Sequence, residues 1–155
     1  MRVTYWITEQ VAVSGGEISP DNWHRLSREK RITAVLNLRS EHQDTFSSPW
    51  PVAYLWLPVA DFTRPTQEQL RIGVQFIQTA VTAGERVLIH CNMGIGRSPT
   101  MAAAYLVWSG TSVKEAIRQI EEAAVGVKSP VFNKEALAEL ADSLKGDDRK
   151  TDSTQ

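Results

Sequence analysis

One segment near the middle of the chain constrains the fold more than any other. The residues from Arg86 to His90 (RVLIH) form a short apolar run typical of a buried strand. Cys91 to Gly96 (CNMGIG) follows with two glycines, and Arg97 precedes a run rich in Ala, Tyr, Leu and Trp that is typical of a buried helix. A strand that turns through a tight loop directly into a helix is the building unit of parallel α/β sheets. The segment therefore predicts such a sheet, with Cys91 at the end of a core strand.

The rest of the chain shows the same alternation of strand and helix patterns. Further strands are predicted at 3–13 (one or two short strands), 32–38 and 52–57, the last two as buried strands. Helices are predicted after the capping residues Ser19, Thr66 and Ser112, after the Cys91 loop, and over roughly 132–144. We therefore predict an α/β fold with a central, mostly parallel sheet of about four to five strands flanked by helices.

Length and composition favour a single compact domain. The chain has 155 residues, of which 42% are hydrophobic and 23% charged, as in ordinary globular proteins. We assign the domain to residues 1–145. Residues 146–155 contain no apolar side chain, which predicts a disordered polar tail.

Charge and cysteine content exclude several classes of partner. The formal net charge is −1, which gives no general attraction to nucleic acid or to an acidic membrane surface. The single cysteine excludes an internal disulfide, and three scattered histidines give no metal-ligand spacing. No apolar run approaches the length of a membrane-spanning helix, and no secretory signal pattern is visible. A cytoplasmic monomer without metal or cofactor is expected.

The Cys91 loop combines the groups needed to attack a tetrahedral oxyanion. A thiol between a strand end and a helix start lies near the positive helix end, which favours the nucleophilic thiolate. Gly94 and Gly96 allow the backbone to turn tightly and to direct N–H groups at an anion. The guanidinium of Arg97 can bind two oxygens of the same anion.

A lone cysteine is most often a small buried hydrophobic residue, so chance must be considered. With the composition of this chain, the observed His, Gly and Arg positions around Cys91 arise by chance with a probability of roughly five in a million. The predicted strand before the loop and helix after it supply the structural context that such a motif requires. We therefore favour Cys91 as a nucleophile in an anion-binding loop over Cys91 as a buried hydrophobic residue.

The segment from His90 to Ser98 (HCNMGIGRS) resembles the signature loop of the cysteine-dependent protein tyrosine phosphatases, most closely the dual-specificity subgroup. The resemblance implies that Cys91 forms a phosphocysteine intermediate and that Arg97 binds phosphate and stabilises the transition state. It also implies that Ser98 hydrogen-bonds the sulfur and that His90 supports the loop. The remaining phosphate-binding positions would be Asn92, Met93, Gly94, Ile95 and Gly96.

A phosphatase of this kind needs a general acid for the leaving group, and Asp61 is the predicted one. It follows the strand that ends at Leu57, so it lies at the same sheet edge as Cys91. Its position also resembles that of the acid loop in dual-specificity phosphatases. Glu41 and Asp44, in the loop after the strand that ends at Leu38, are the alternatives; that loop either borders the pocket or is a solvated charged loop.

The loop contains no lysine between Cys91 and Arg97, which favours a single phosphate on a protein or peptide side chain, phosphotyrosine and also phosphoserine or phosphothreonine. Two other functions are considered. A rhodanese-type sulfurtransferase would not explain Asp61, Arg97 or Ser98. A phosphopeptide-binding pseudophosphatase usually lacks the cysteine, the arginine or the general acid, and all three are present here. A role for Asn133 in the second step is left open.

Overall fold

A mostly parallel sheet with helices on both faces forms the core of the protein, in a computed structural model that describes residues 3–127 and 129–152. The strands in this part of the chain are β1 (Tyr5–Trp6), β2 (Val11–Gly15), β3 (Ala34–Arg39), β4 (Ala53–Val59) and β5 (Val87–Cys91). The helices are α1 (Pro20–Glu29), α2 (Gln67–Thr82), α3 (Arg97–Trp108), α4 (Val113–Ala123) and α5 (Lys134–Asp152). The predicted single-domain α/β fold is confirmed.

The strand order places the cysteine strand at the centre of the sheet. The order is β1-β2-β5-β3-β4, with β1 antiparallel to β2 and the other neighbours parallel. Gly15 at the end of β2 pairs with Cys91 at the end of β5, and Asn37 near the end of β3 pairs with His90. The carboxyl ends of the parallel strands therefore meet at one edge, around Cys91.

The two faces of the sheet bury different sets of side chains. Helix α1 covers one face, where Trp23 and Leu26 pack against Ala12, Val35 and Leu88. Helices α2 to α5 cover the other face, and α3 packs between the sheet and the other three. All but two of the residues of α3 are buried. The start of α3, which carries Arg97 and Ser98, is thus fixed by packing next to the end of β5.

The predicted capping residues begin their helices as expected. The side chain of Ser19 accepts a hydrogen bond from Asn22 N, Thr66 forms a capping box with Gln69, and Ser112 accepts from Glu115 N. In the part of the chain that is described, no helix has the length and apolarity needed to cross a membrane.

Two predicted segments differ in the structure. The segment that contains β4 was predicted to be buried, but β4 is the edge strand and most of it is only half-buried, because it has a neighbour on one side alone. The disordered tail predicted for 146–155 is also not found over 146–152, where α5 continues to Asp152. The segment contains no proline, and the one glycine costs a helix only about 1 kcal/mol. Residues 153–155 lie outside the described part.

Candidate active site

The Cys91 sulfur is held by two hydrogen-bonding groups. Cys91 ends β5 and is 2% exposed. Its Sγ lies 3.1 Å from Ser98 Oγ and accepts a hydrogen bond from Gly94 N at 3.2 Å. Ser98 Oγ also lies within donating distance of Ser14 O, at 3.3 Å. Its single proton goes either to that carbonyl or to the sulfur, and when it turns to the sulfur it stabilises negative charge there together with Gly94 N–H, as a nucleophilic thiolate requires.

Helix α3 begins at the cysteine loop without a side-chain cap. Gly96 is the N-cap, and the third helical residue, Pro99, has no N–H group to satisfy. The free N–H groups at the first positions of the helix are those of Arg97 and Ser98. Together with the helix dipole, they suit an anion that binds beside Cys91.

The Arg97 guanidinium is buried and held by a carboxylate. Its Nη1 and Nη2 each donate to one oxygen of Glu41 at 2.9 Å, and Nη1 also donates to Val59 O at 2.9 Å. Its Nε finds no hydrogen-bond partner among the described residues, and the nearest acidic oxygen is Asp61 Oδ1 at 3.5 Å. This nitrogen is therefore available to an oxygen of a bound phosphate.

Arg97 and the acidic groups around it stabilise one another in their charged forms. The hydrogen bond from Arg97 lowers the pKa of Glu41 to about 2, and the positive charges of Arg97 and Arg39 contribute to the same shift. Burial opposes the charge of Arg97, but the hydrogen bond to Glu41 and the charges of Cys91 and Asp61 outweigh it, so its pKa lies above the ordinary value. Glu41 therefore stays ionised, and it fixes the guanidinium on the side away from Nε.

His90 lies behind the cysteine and is paired with Asp44. Both side chains are fully buried, and His90 Nε2 is 2.7 Å from Asp44 Oδ2. His90 Nδ1 is 3.0 Å from the carbonyl oxygen of Gly16, which makes Nδ1 the donor in that bond. The ring is thus fixed at both nitrogens, which fits the predicted role of His90 in supporting the loop. Asp44, being buried in this pair, does not reach the cavity.

Asp61 follows β4 and faces the same cavity as Cys91. Its Oδ1 accepts a hydrogen bond from Phe62 N at 3.0 Å, and its side chain is 37% exposed. Of the three acidic residues considered for the general acid, Asp61 is the one placed to meet a leaving group, because Glu41 is bound to Arg97 and Asp44 to His90.

The cavity at Cys91 is largely apolar and has a volume of about 500 Å³. Its lining comes from three parts of the chain: the Asp61 loop, the cysteine loop with the start of α3, and the segment before α5. Asn133 lies in this lining; its Oδ1 accepts from Ala136 N and caps α5, while its N donates to Thr100 Oγ1. The lining residues are Asp61, Phe62, Thr63, Pro65, Cys91, Met93, Ile95, Gly96, Arg97, Thr100, Val131, Phe132 and Asn133.

The structure brings the predicted site residues together, and it gives Glu41 and Asp44 roles that the sequence did not assign. Asn92 and Gly94 lie in the loop but are not among the residues that line the cavity. Glu41 and Asp44 were weighed as acids or as rim residues, whereas they are the partners of Arg97 and His90. The available signal was that they follow the strand next to β5, whose end meets the same sheet edge.

The chain belongs to the dual specificity phosphatase family, since the model of that family's catalytic domain matches residues 19–141. It is also similar to individual members of the wider group. The rat phosphatidylglycerophosphatase and protein-tyrosine phosphatase 1 is 35% identical over 108 residues, which are 62% of this chain and 56% of the relative. Rat dual specificity protein phosphatase 5 is 33% identical over 103 residues, 65% of this chain and 26% of that protein.

Solved structures agree over nearly the whole chain. The crystal structure of PTPMT1 has a TM-score of 0.80 and 27% identity, covering 96% of this chain and 99% of that one. The structure of Tk-PTP in the active form has a TM-score of 0.73 and 32% identity, covering 90% and 96%. The chain thus spans whole solved domains, but only about half the length of the first curated relatives that it matches.

Proposed function

We propose that the protein hydrolyses phosphomonoesters through a phosphocysteine intermediate. The Cys91 thiolate attacks phosphorus and forms an S–P bond, while the P–O bond to the leaving group breaks and Asp61 protonates the departing oxygen. Water then attacks phosphorus and Asp61 accepts its proton. The S–P bond breaks, with Ser98 hydrogen-bonding the sulfur that leaves. Arg97 and the loop N–H groups bind the phosphate oxygens throughout.

One observation carries this proposal: a sulfur with two hydrogen-bonding partners, a buried guanidinium with a free Nε, and a carboxyl group share one cavity. Nucleophile, oxyanion clamp and proton donor are the three parts of phosphoryl transfer to a thiolate. A sulfurtransferase has no use for the proton donor. A phosphopeptide-binding pseudophosphatase has no use for the sulfur contacts of Ser98.

The favoured substrate is a phosphorylated protein or peptide, with phosphotyrosine first because its ring suits an apolar cavity. A lipid phosphate is the second candidate. The specific observation in its favour is that Phe62 and Val131, which both line the cavity, are 101% and 64% exposed and offer apolar surface to acyl chains. Relatives named as phosphatidylglycerophosphatase, and a PTPMT1 structure in complex with PI(5)P, support keeping this candidate.

Turnover of para-nitrophenyl phosphate by the wild type and by Cys91→Ser tests the proposal. We expect the wild type to release nitrophenol and Cys91→Ser to lose all but a few per cent of the activity, while it still binds phosphate through Arg97 and the loop. Thiocyanate production from thiosulfate and cyanide is expected to be absent. An inactive wild type that nevertheless binds phosphopeptides would instead favour the pseudophosphatase.

Matched substrates distinguish the two substrate classes. A phosphotyrosine peptide and short-chain phosphatidylglycerophosphate, each assayed by phosphate release, should be ranked by kcat/KM. A higher value for the peptide supports the favoured class, and a higher value for the lipid replaces it. The cytoplasmic location and the monomeric state are part of the same proposal, and cell fractionation and sedimentation test them.

A further inference from the structure

The loop that carries Asp61 and the segment just before α5 both line the catalytic cavity. Thr63 and Pro65 belong to the loop, and Phe132 and Asn133 to the segment before α5. The position of the loop relative to α5 bears on how far Asp61 stands from a phosphate bound at Cys91. Contacts that connect the loop to α5 therefore bear on proton transfer, even where they do not touch the substrate.

Arg64 makes such a connection. Its Nη2 donates to Glu139 Oε2, and its Nη1 lies 3.6 Å from Glu135 Oε2. Glu135 and Glu139 are four residues apart on α5, so both carboxylates reach the same guanidinium. The three side chains are 44%, 85% and 54% exposed, which makes this a solvent-accessible pair that salt screens.

The only other charged link from residues 60–65 to the rest of the described chain is the contact between Asp61 Oδ1 and Arg97 Nε, at 3.5 Å. That nitrogen has no hydrogen-bond partner among the described residues and is available to a bound phosphate. When a phosphate oxygen takes it, and when Asp61 carries the proton that a general acid must donate, the contact from Asp61 to Arg97 weakens. In the substrate complex, the bridge from Arg64 to α5 is then the charged contact that continues to hold the loop.

We propose that Arg64 is a positioning residue, which holds Asp61 at proton-transfer distance from the leaving group by pairing with Glu135 and Glu139. The inference rests on the proposed function. It concerns a residue that touches neither the phosphate nor the sulfur. It predicts that Arg64 affects those substrates that need a proton and leaves other substrates nearly unaffected.

The test compares two leaving groups in Arg64→Ala and Arg64→Gln. Phenyl phosphate releases a basic phenoxide that needs the proton, whereas para-nitrophenyl phosphate releases an anion that hardly does. We expect kcat with phenyl phosphate to fall about three- to tenfold, the range set by the loss of two exposed ion pairs, and kcat with para-nitrophenyl phosphate to change less than about twofold. Salt should lower the phenyl to nitrophenyl ratio of the wild type but not that of Arg64→Ala.

Arg118→Ala is the matched control. Arg118 is an exposed arginine on α4 that pairs with Glu115 and Glu122 in the same manner, and it does not line the cavity. Its variant should keep the wild-type ratio. Arg64→Glu should lower the ratio further, and adding Glu135→Lys and Glu139→Lys to it should restore the ratio to within about twofold, because the pairs reform with opposite sign.

The possible failures can be told apart. If the wild type turns over both esters and Arg64→Ala has the same ratio as Arg118→Ala, Arg64 is not a positioning residue and the proposed function stands. Arg64→Glu and its combination with Glu135→Lys and Glu139→Lys should both fold, with unfolding temperatures near that of the wild type. If the combination then fails to restore the phenyl to nitrophenyl ratio, pairing with α5 is not how Arg64 acts on Asp61. If the wild type hydrolyses no phosphomonoester, the proposed function fails and this inference fails with it.

Discussion

Arg97 is the residue at which the charges of the site converge. Glu41 occupies Nη1 and Nη2, so one edge of the guanidinium is fixed, and Nε is left facing Asp61 without a hydrogen bond. A planar fork that is bound along one edge cannot rotate, and it presents its two remaining N–H groups, that of Nε and the second one of Nη2, in a fixed direction. At this scale the site is preorganised for one oxyanion, which is the main electrostatic requirement of phosphoryl transfer.

Asp61→Asn tests the assignment of the general acid. Without a proton donor, kcat for phenyl phosphate should fall by about 10²–10⁴, the usual contribution of a positioned acid, and kcat for para-nitrophenyl phosphate should fall much less. Steady-state kinetics with both esters measure the two effects. Asp44→Asn is the informative comparison, since Asp44 is buried against His90. In Asp44→Asn, kcat should fall equally with phenyl phosphate and with para-nitrophenyl phosphate. A loss confined to phenyl phosphate in Asp44→Asn, and not in Asp61→Asn, would make Asp44 the general acid.

The contact between β2 and the cysteine loop is the main feature of the site at the scale of secondary-structure elements. The end of β2 lies directly against the loop: a Cβ atom on Gly15 would be 2.4 Å from Gly94 N and 2.4 Å from Met93 C. Gly94 itself has a φ of 70°, in the region that favours glycine. The loop that binds phosphate is therefore shaped by a neighbouring strand as well as by its own sequence.

Gly15→Ala should displace this loop. The methyl group meets backbone atoms, which cannot move aside as the end of a side chain can, so the loop must shift. We expect a loss of stability of about 1–3 kcal/mol, as for overpacked cores, and a loss of kcat/KM of more than about tenfold. Urea unfolding and steady-state kinetics measure the two quantities.

Gly110→Ala serves as the control for that variant. Gly110 has a φ of 108° and open space around its Cα, so an added methyl group strains the backbone without a clash. It follows α3, the helix that begins at the cysteine loop. We expect a stability loss of about 1 kcal/mol or more with unchanged kcat/KM. Equal losses of activity in both variants would mean that Gly15 acts through overall stability.

At the scale of the whole molecule, the sequence predicts what depends on local signals. The capping box at Thr66, the N-cap at Ser112 and the apolar run before Cys91 mark their elements directly, so the α/β order and the cysteine loop follow from them. The exposed edge position of β4 could not be predicted, because strand order depends on long-range packing. The pairs from Glu41 to Arg97 and from Asp44 to His90 span 56 and 46 residues, and no spacing rule specifies such contacts.

The pH dependence of stability reports the site charges through the whole molecule. The hydrogen bond from Arg97 lowers the pKa of Glu41 from 4.5 to about 2 in the folded protein. Because the folded-state pKa is below the unfolded one, the contribution to stability is complete above pH 4.5 and is lost as the pH falls from there through about 2. The side chain is 32% exposed, so solvent screening reduces the contribution to about 1–2 kcal/mol.

Glu41→Gln should therefore lower the free energy of unfolding near neutral pH and should flatten its decrease between pH 5 and pH 2. Urea unfolding at a series of pH values measures both effects. Glu115→Gln is the matched control, because the hydrogen bond from Arg118 also lowers the pKa of Glu115 to about 2, but on the exposed surface of α4. At 0.5 M salt, the free energy of unfolding of Glu115→Gln should depend on pH as that of the wild type does, since exposed pairs are screened. The pH dependence of Glu41→Gln should still differ from that of the wild type. If Glu41→Gln keeps the wild-type slope at low and high salt, the pair between Glu41 and Arg97 does not contribute to folding, and its role is confined to orienting the guanidinium.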